Sequence, residues 1–157
     1  MARGLGDYGV VGSPNQCVLH PTGGSIYGSV PEMNSRGIIL PGGDIQLRIG
    51  NHFGPHNGFG VRHIWAEHEV EMRAHGYEVV SDVPKFVARV ITIGSPIYCE
   101  FNNIRGNHNV AVLKSSIGTA ILQPKRAGPD ADSEWIYSVV SVFTRTSTRG
   151  TLVGNVQ

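Results

Sequence analysis

The chain predicts an α+β fold in which two N-terminal helices pack on a four- to five-stranded antiparallel sheet, preceded by a glycine-rich region of loops and short strands. Three observations carry this expectation. Two segments of helical period lie side by side between residues 61 and 94. From residue 95 onward the texture is β, broken by short turns. The helices precede the strands instead of alternating with them, which is the order of α+β and not of a parallel sheet. A length of 157 residues suits one domain, with 1–36 as a loop-rich N-terminal extension and 37–145 as the core.

Residues 1–60 hold most of the 21 glycines, and their apolar runs are short, separated by turn chemistry such as Pro21-Thr22-Gly23-Gly24 and Pro41-Gly42-Gly43. Within them, Asp44 to Gly50 alternates apolar and polar residues, the pattern of a half-buried strand. Glycine and proline make the next stretch, Asn51 to Gly60, a histidine-bearing loop. From Val61 to about His75 good helix formers run without interruption, and Gly76 supplies a stop. At helical spacing Val61, Ile64, Trp65, His68 and Met72 share one stripe, while His63, Glu67 and Ala74 lie nearly opposite. A second helix starts near Ser81 or Asp82, both able to cap, with Pro84 tolerated only in its first turn; Val83, Phe86, Val87, Val90 and Ile91 give it an apolar face. Four strands follow, Pro96 to Phe101, Asn109 to Ser115, Thr119 to Gln123 and Trp135 to Thr144, joined as an antiparallel meander.

Composition narrows the function. Charged residues make up 16 % of the chain, below the usual quarter or so, and the net charge is +1, which excludes a strongly basic nonspecific nucleic-acid binder. The balance is uneven: residues 101–157 hold six basic and three acidic side chains, an excess suited to a phosphate-bearing ligand as well as to a solvated face. No apolar run approaches the roughly 20 residues that span a bilayer, the first twenty residues lack the pattern of a secretory signal, and a soluble chain is expected. Cys17 and Cys99 allow one disulfide at most and form no zinc signature.

The stretch Gly58-Phe59-Gly60-Val61-Arg62-His63-Ile64-Trp65-Ala66-Glu67-His68 carries the most chemistry. It sets His63 in the first turn of a helix, where free N–H groups and the dipole favour an anion, and places Arg62 beside it. An exposed histidine at a helix start is an equally ordinary reading of His63, and a hydrogen-bonded core histidine is the ordinary reading of His68. The GFG-x-x-HI-x-x-x-H helix, followed by a second helix and an antiparallel sheet ending in Trp-Ile-Tyr-Ser-Val-Val-Ser-Val-Phe, resembles the metal-independent RNase superfamily of barnase, EndoU, colicin and RelE nucleases over roughly 37–145.

That resemblance implies a toxin or phage nuclease that cleaves RNA, commonly tRNA, by general acid/base chemistry through a 2′,3′-cyclic phosphate. It places His63, His68 and Ser141 as catalytic residues, the last within Ser141-Val142-Phe143, with Phe143 to stack a base. Arg62, Arg73, Lys114 and Arg145 are the candidate basic groups at the substrate. It further implies a small immunity protein as partner, acidic because it must cover a phosphate site, and delivery within a larger effector acting in a target cell's cytoplasm.

No metal or cofactor is expected. His63 and His68 are five residues apart, about 140° around a helix, whereas paired helical ligands lie at i and i+4. His52 and His56 could approach a metal with His63, but no cysteine or carboxylate pattern completes the set. The phosphate loop GxxxxGK and a serine nucleophile elbow are both missing. The rival reading, from a different class, is a non-enzymatic glycine-rich β module of structural or assembly type, such as a virion or surface component.

Overall fold

A computed structural model describes residues 12–101, 108–130 and 132–157. In chain order these residues form β1 (Gly28–Val30), β2 (Met33–Ser35), β3 (Ile38–Leu40), β4 (Gly43–Gln46), β5 (Asn51–Gly54), β6 (Asn57–Phe59), α1 (Gly60–Ala74), α2 (Val83–Val90), β7 (Pro96–Cys99), β8 (Val110–Lys114), β9 (Gly118–Arg126), β10 (Trp135–Phe143) and β11 (Thr151–Asn155). The expected α+β layout is therefore wrong. The chain is mostly β, with a seven-stranded sheet in the order β1-β4-β10-β9-β8-β7-β11 and two small hairpins, β2-β3 and β5-β6, beside it. The sheet is mixed: β4 runs parallel to β10, while β7, β8, β9 and β10 pair antiparallel with their chain neighbours.

The difference lies in the glycine-rich first third and at the C-terminus. β1 and β4 extend the sheet beyond β10, and β11 closes on β7, so residues well before 37 and after 145 belong to the same sheet. Strands of three to five residues carry too few side chains to show a period, and their partners lie up to about ninety residues away. Gly43 shows why glycine is needed there: a Cβ at this position would press into the Trp135 carbonyl and Ile136 of the parallel neighbour. The Asn51 to Gly60 stretch is likewise a hairpin and not a loop. Pro55 and His56 make its tip, His56 taking a left-handed conformation at φ 58°. The turn of the β2-β3 hairpin uses Arg36 and Gly37, both at positive φ, the pairing expected of a twist-matched two-residue turn.

Both helices cover one face of the sheet. α2 buries Val83, Phe86, Val87 and Val90 against β8 and β9, where Val112, Ala120 and Leu122 are fully enclosed. α1 brings Val61, Ile64, Trp65 and Met72 onto β10, meeting Tyr137, Val139 and Val142 in the same core. Each such enclosed side chain contributes about 1.5–3 kcal/mol by burial. Asp82 does not cap α2; its carboxylate accepts from the N–H groups of Glu78 and Val79 in the preceding 3₁₀ turn. The two cysteines remain free thiols, Cys17 half-buried beside Gln46 and Cys99 within the core.

One irregularity matters for the site. On β10 the core-facing positions run 137, 139 and then 142, because the register with β9 shifts between Val139 and Ser141. This bulge turns Ser141 and Phe143 away from the core and into a cleft, an arrangement typical of strands that re-aim a functional side chain.

Candidate active site

A cleft of about 490 Å³ opens between α1 and the end of β10. Its walls carry His56, His63, Glu67, His68 and Glu71 from the hairpin tip and the helix, facing Ser141, Phe143 and Arg145 from the strand and its continuation, with Ile121 of β9 on the floor. Residues more than seventy positions apart are thereby joined. Side chains at i and i+3 or i+4 on a helix share a face, so His63 and Glu67 make one row while His68 and Glu71 make the next.

The second row is a continuous relay. The Glu71 carboxylate holds His68 at Nδ1, and the other ring nitrogen, Nε2, lies 3.2 Å from the Ser141 hydroxyl. The second oxygen of Glu71 accepts from the Thr144 backbone N–H at 3.1 Å and from the Thr144 hydroxyl. Glu71 thus fixes the hydrogen on Nδ1 and leaves Nε2 as the working nitrogen. Phe143 packs obliquely on the His68 ring at 5.6 Å, and the Arg145 guanidinium stands 4.7 Å above the Phe143 ring. The Arg145 backbone is itself held, its carbonyl accepting the Thr119 hydroxyl at 2.6 Å.

The first row is tighter. His63 is buried, only 4 % exposed, because the β5-β6 hairpin covers the side of α1 opposite the apolar stripe. Its Nδ1 lies 3.0 Å from Nδ1 of His52, with the two rings stacked at 5.2 Å. Glu67 accepts the His56 backbone N–H at 2.6 Å. Burial holds the His63 imidazole below its ordinary range against the opposing pull of Glu67, and the hydrogen bond from His56 keeps the Glu67 carboxyl low.

The candidate basic residues separate sharply. Arg145 lines the cleft. Arg62 is buried instead, its guanidinium donating to the carbonyls of Gly50 (2.9 Å) and Gly12 (2.8 Å), so it ties the N-terminal segment to the helix start and does not reach a ligand. Arg73 pairs with Glu69 at 3.0 Å and lies over Trp65, outside the cleft. Lys114 ends β8 and does not line it either. At the helix start beside His63 the N–H groups of Val61 and Arg62 are already taken, bonding the carbonyls of Arg48 and Ile49. Of the groups the sequence singled out for a phosphate, Arg145 and the Ser141 hydroxyl are the ones that line the cleft.

Reading the sequence alone gave Glu71, Glu67 and Thr144 no role in the site and weighed His52 only as a metal ligand that it set aside. Two of these carried a usable signal, Glu71 three residues after His68 and Glu67 four after His63, both spacings that bring helical side chains together. For the same reason Glu71 yields a pH prediction. Burial raises its carboxyl, but the hydrogen bonds from Thr144 and His68 together outweigh this, and the net displacement is downward. The stabilisation is therefore complete above the unfolded carboxyl value of about 4.3 and is lost as pH falls through the folded one. Glu71→Gln is expected to melt below the parent protein at neutral pH, the gap closing on acidification below about pH 4. Thermal melts of both proteins across that range check the sign; a gap that widens in acid contradicts it.

Comparison of the chain with known protein families, with curated proteins and with solved structures finds no match.

Proposed function

We propose that this cleft binds RNA and cleaves it without a metal, by attack of a ribose 2′-hydroxyl on the adjacent phosphorus. The P–O5′ bond breaks, leaving a 2′,3′-cyclic phosphate and a 5′-hydroxyl end. The observation that carries the reading is the convergence of His63, His68, Ser141, Phe143 and Arg145 on one cleft from two elements far apart in the chain. Nε2 of His68 takes the proton from the 2′-hydroxyl, and Glu71 balances the charge the ring then acquires. His63, one turn up the helix, gives its proton to the leaving 5′-oxygen from the imidazolium form, which burial restricts to pH below the ordinary imidazole range. Arg145 and the Ser141 hydroxyl stabilise charge on the phosphoryl oxygens, and Phe143 offers a stacking surface for a base.

A second cleft of about 580 Å³, lined by Tyr98, Asn109, Ala111, Ser147 and Arg149, adjoins the first through the shared residues Ile121 and Arg145. Nucleotides flanking the cut have room there, beside two arginines and a tyrosine ring, a combination suited to single-stranded nucleic acid. The RNase resemblance adds structured RNA such as tRNA as the substrate class, and a small acidic immunity protein as the partner of a toxin delivered within a larger effector.

Incubating the protein with purified tRNA and total RNA in EDTA, and analysing the product ends, tests this: cyclic-phosphate termini are expected, and intact RNA overturns it in favour of a non-enzymatic β module. The Ser141–His68–Glu71 chain also favours a second reading, acyl transfer with Ser141 as nucleophile. Ser141 lies within a strand and not at a strand-to-helix elbow, which speaks against it. Covalent labelling of Ser141 by a fluorophosphonate, with no RNA cleavage, would decide for that alternative.

A further inference from the structure

We infer that His52, His63 and Glu67 form a binding site for a divalent transition-metal ion, with zinc as the ion that fits it best. One ligand atom from each of the three residues lies within 4.8 Å of the other two, in the triangle that two imidazole nitrogens and one carboxylate oxygen adopt around a single ion. The two Nδ1 atoms share a hydrogen bond at 3.0 Å, so one proton held between them would give way to an ion bound by both nitrogens. His63 and Glu67 are four apart on α1, the spacing at which helical side chains converge on one metal, and His52 comes from β5 directly opposite. The carboxylate that the sequence reading did not find for His52 and His63 is supplied by Glu67, which the hairpin brings together with both histidines.

The site has the features of a built one. His63 is almost fully enclosed, and Gly58 is packed so tightly on it that a Cβ there would lie 2.7 Å from its Nδ1. Glu67 has one oxygen anchored by the His56 N–H, and its other oxygen is available to a ligand. Two nitrogens and one oxygen suit zinc and its first-row neighbours, not calcium or magnesium, which demand oxygen. Three protein ligands leave a coordination position open. His63 and Glu67 also line the cleft, so the open position has access to whatever occupies it. The inference stands on these atoms and not on the RNA-cleavage reading; an ion here engages His63, so that residue serves as a proton-transfer group only in the metal-free protein.

The test is titration of the metal-stripped protein with Zn²⁺ against a chromophoric chelator, and with Co²⁺ by its visible absorption. One ion per chain is expected, with Co²⁺ giving the intense bands of a low-coordinate site. His52→Ala and Glu67→Gln should each weaken binding by at least the 10- to 100-fold seen when only an outer-sphere partner is lost. His20→Ala and His75→Ala, remote from the site, should bind as the parent does. Apo-protein melts show that each variant is folded, and Glu67→Gln, which preserves the hydrogen bond from His56, serves if the His52 variant is not. Absence of stoichiometric binding, or equal loss in the remote histidine variants, overturns the site.

Discussion

Replacing His68 with alanine is expected to lower RNA cleavage by about 10² to 10⁴-fold, the usual contribution of a positioned proton-transfer group. Of the residues in the cleft, His68 has the most fully determined geometry. Glu71 orients it from one side, Thr144 orients Glu71, and the nitrogen that remains points at Ser141. The loss should appear in kcat and kcat/KM together, because the proton is transferred only in the transition state. Ser141→Ala, which removes one hydroxyl from the phosphate, should cost less. The folded state should lose a few kcal/mol at most: the ring is half-buried, its bond with Ser141 is worth about 0.5–1.5 kcal/mol and its charge-assisted bond with Glu71 about 1.5–3 kcal/mol. Rates measured with and without EDTA, together with a thermal melt, check the outcome. Cleavage unchanged in His68→Ala removes His68 from the mechanism, whatever the role of His63.

The sequence makes α1, α2 and the strands from β7 to β10 legible for a physical reason. α1, α2, β9 and β10 are long enough to show their period, and β7 and β8, though short, have neighbours close in the chain. The apolar stripe through Val61, Ile64, Trp65 and Met72 packs on the sheet as its spacing requires. What escapes is whatever depends on distant partners. β1 and β4 are defined by β10, which follows them by about ninety residues, and no local pattern announces a parallel neighbour. His68 lies in the apolar stripe yet lines a cleft, because it sits over the end of β10, where the sheet no longer supplies an apolar wall. His63 fails in the opposite sense: the stripe argument exposes it, but a hairpin that glycine and proline disguise as a loop buries it.

The same principle sorts the arginines. All carry the same charge, and the sequence offers no way to rank them. Arg62 adjoins His63 in the chain, yet a helix rotates successive residues by about 100°, so neighbours in sequence point apart. Its guanidinium goes to two backbone carbonyls, and its Nε has no partner among the described residues. Arg145 lies eighty-two residues beyond His63 and reaches the cleft because the β10 strand carries it there. Groups that act together in a site need only be close in space.

Gly50→Ala is expected to destabilise the fold by about 3–5 kcal/mol, the range of severe backbone and packing lesions. Gly50 and Gly60 both take left-handed conformations at φ 78°, and their backbones cross in contact at the base of the β5-β6 hairpin. A Cβ on Gly50 would overlap the Phe59 carbonyl and approach Gly60 Cα to 2.8 Å, and these are backbone atoms that no rotamer change can move. The positive φ adds roughly 1–2 kcal/mol for any residue with a Cβ. Relief requires parting the two segments, which breaks the bond from Gly50 N–H to the Pro14 carbonyl and withdraws the Gly50 carbonyl from Arg62. At this chain length each kcal/mol lowers the melting temperature by about 2–4 °C, so a loss of roughly 6–20 °C is expected by calorimetry. Gly23→Ala is the control: it also has positive φ, but a Cβ there meets nothing within 4 Å, so it should show the conformational cost alone. Similar losses in the two variants would mean that the crossing is not tightly packed. In that event the hairpin would not be held closely enough to bury His63, and the pairing of His52 with His63 would have no rigid support.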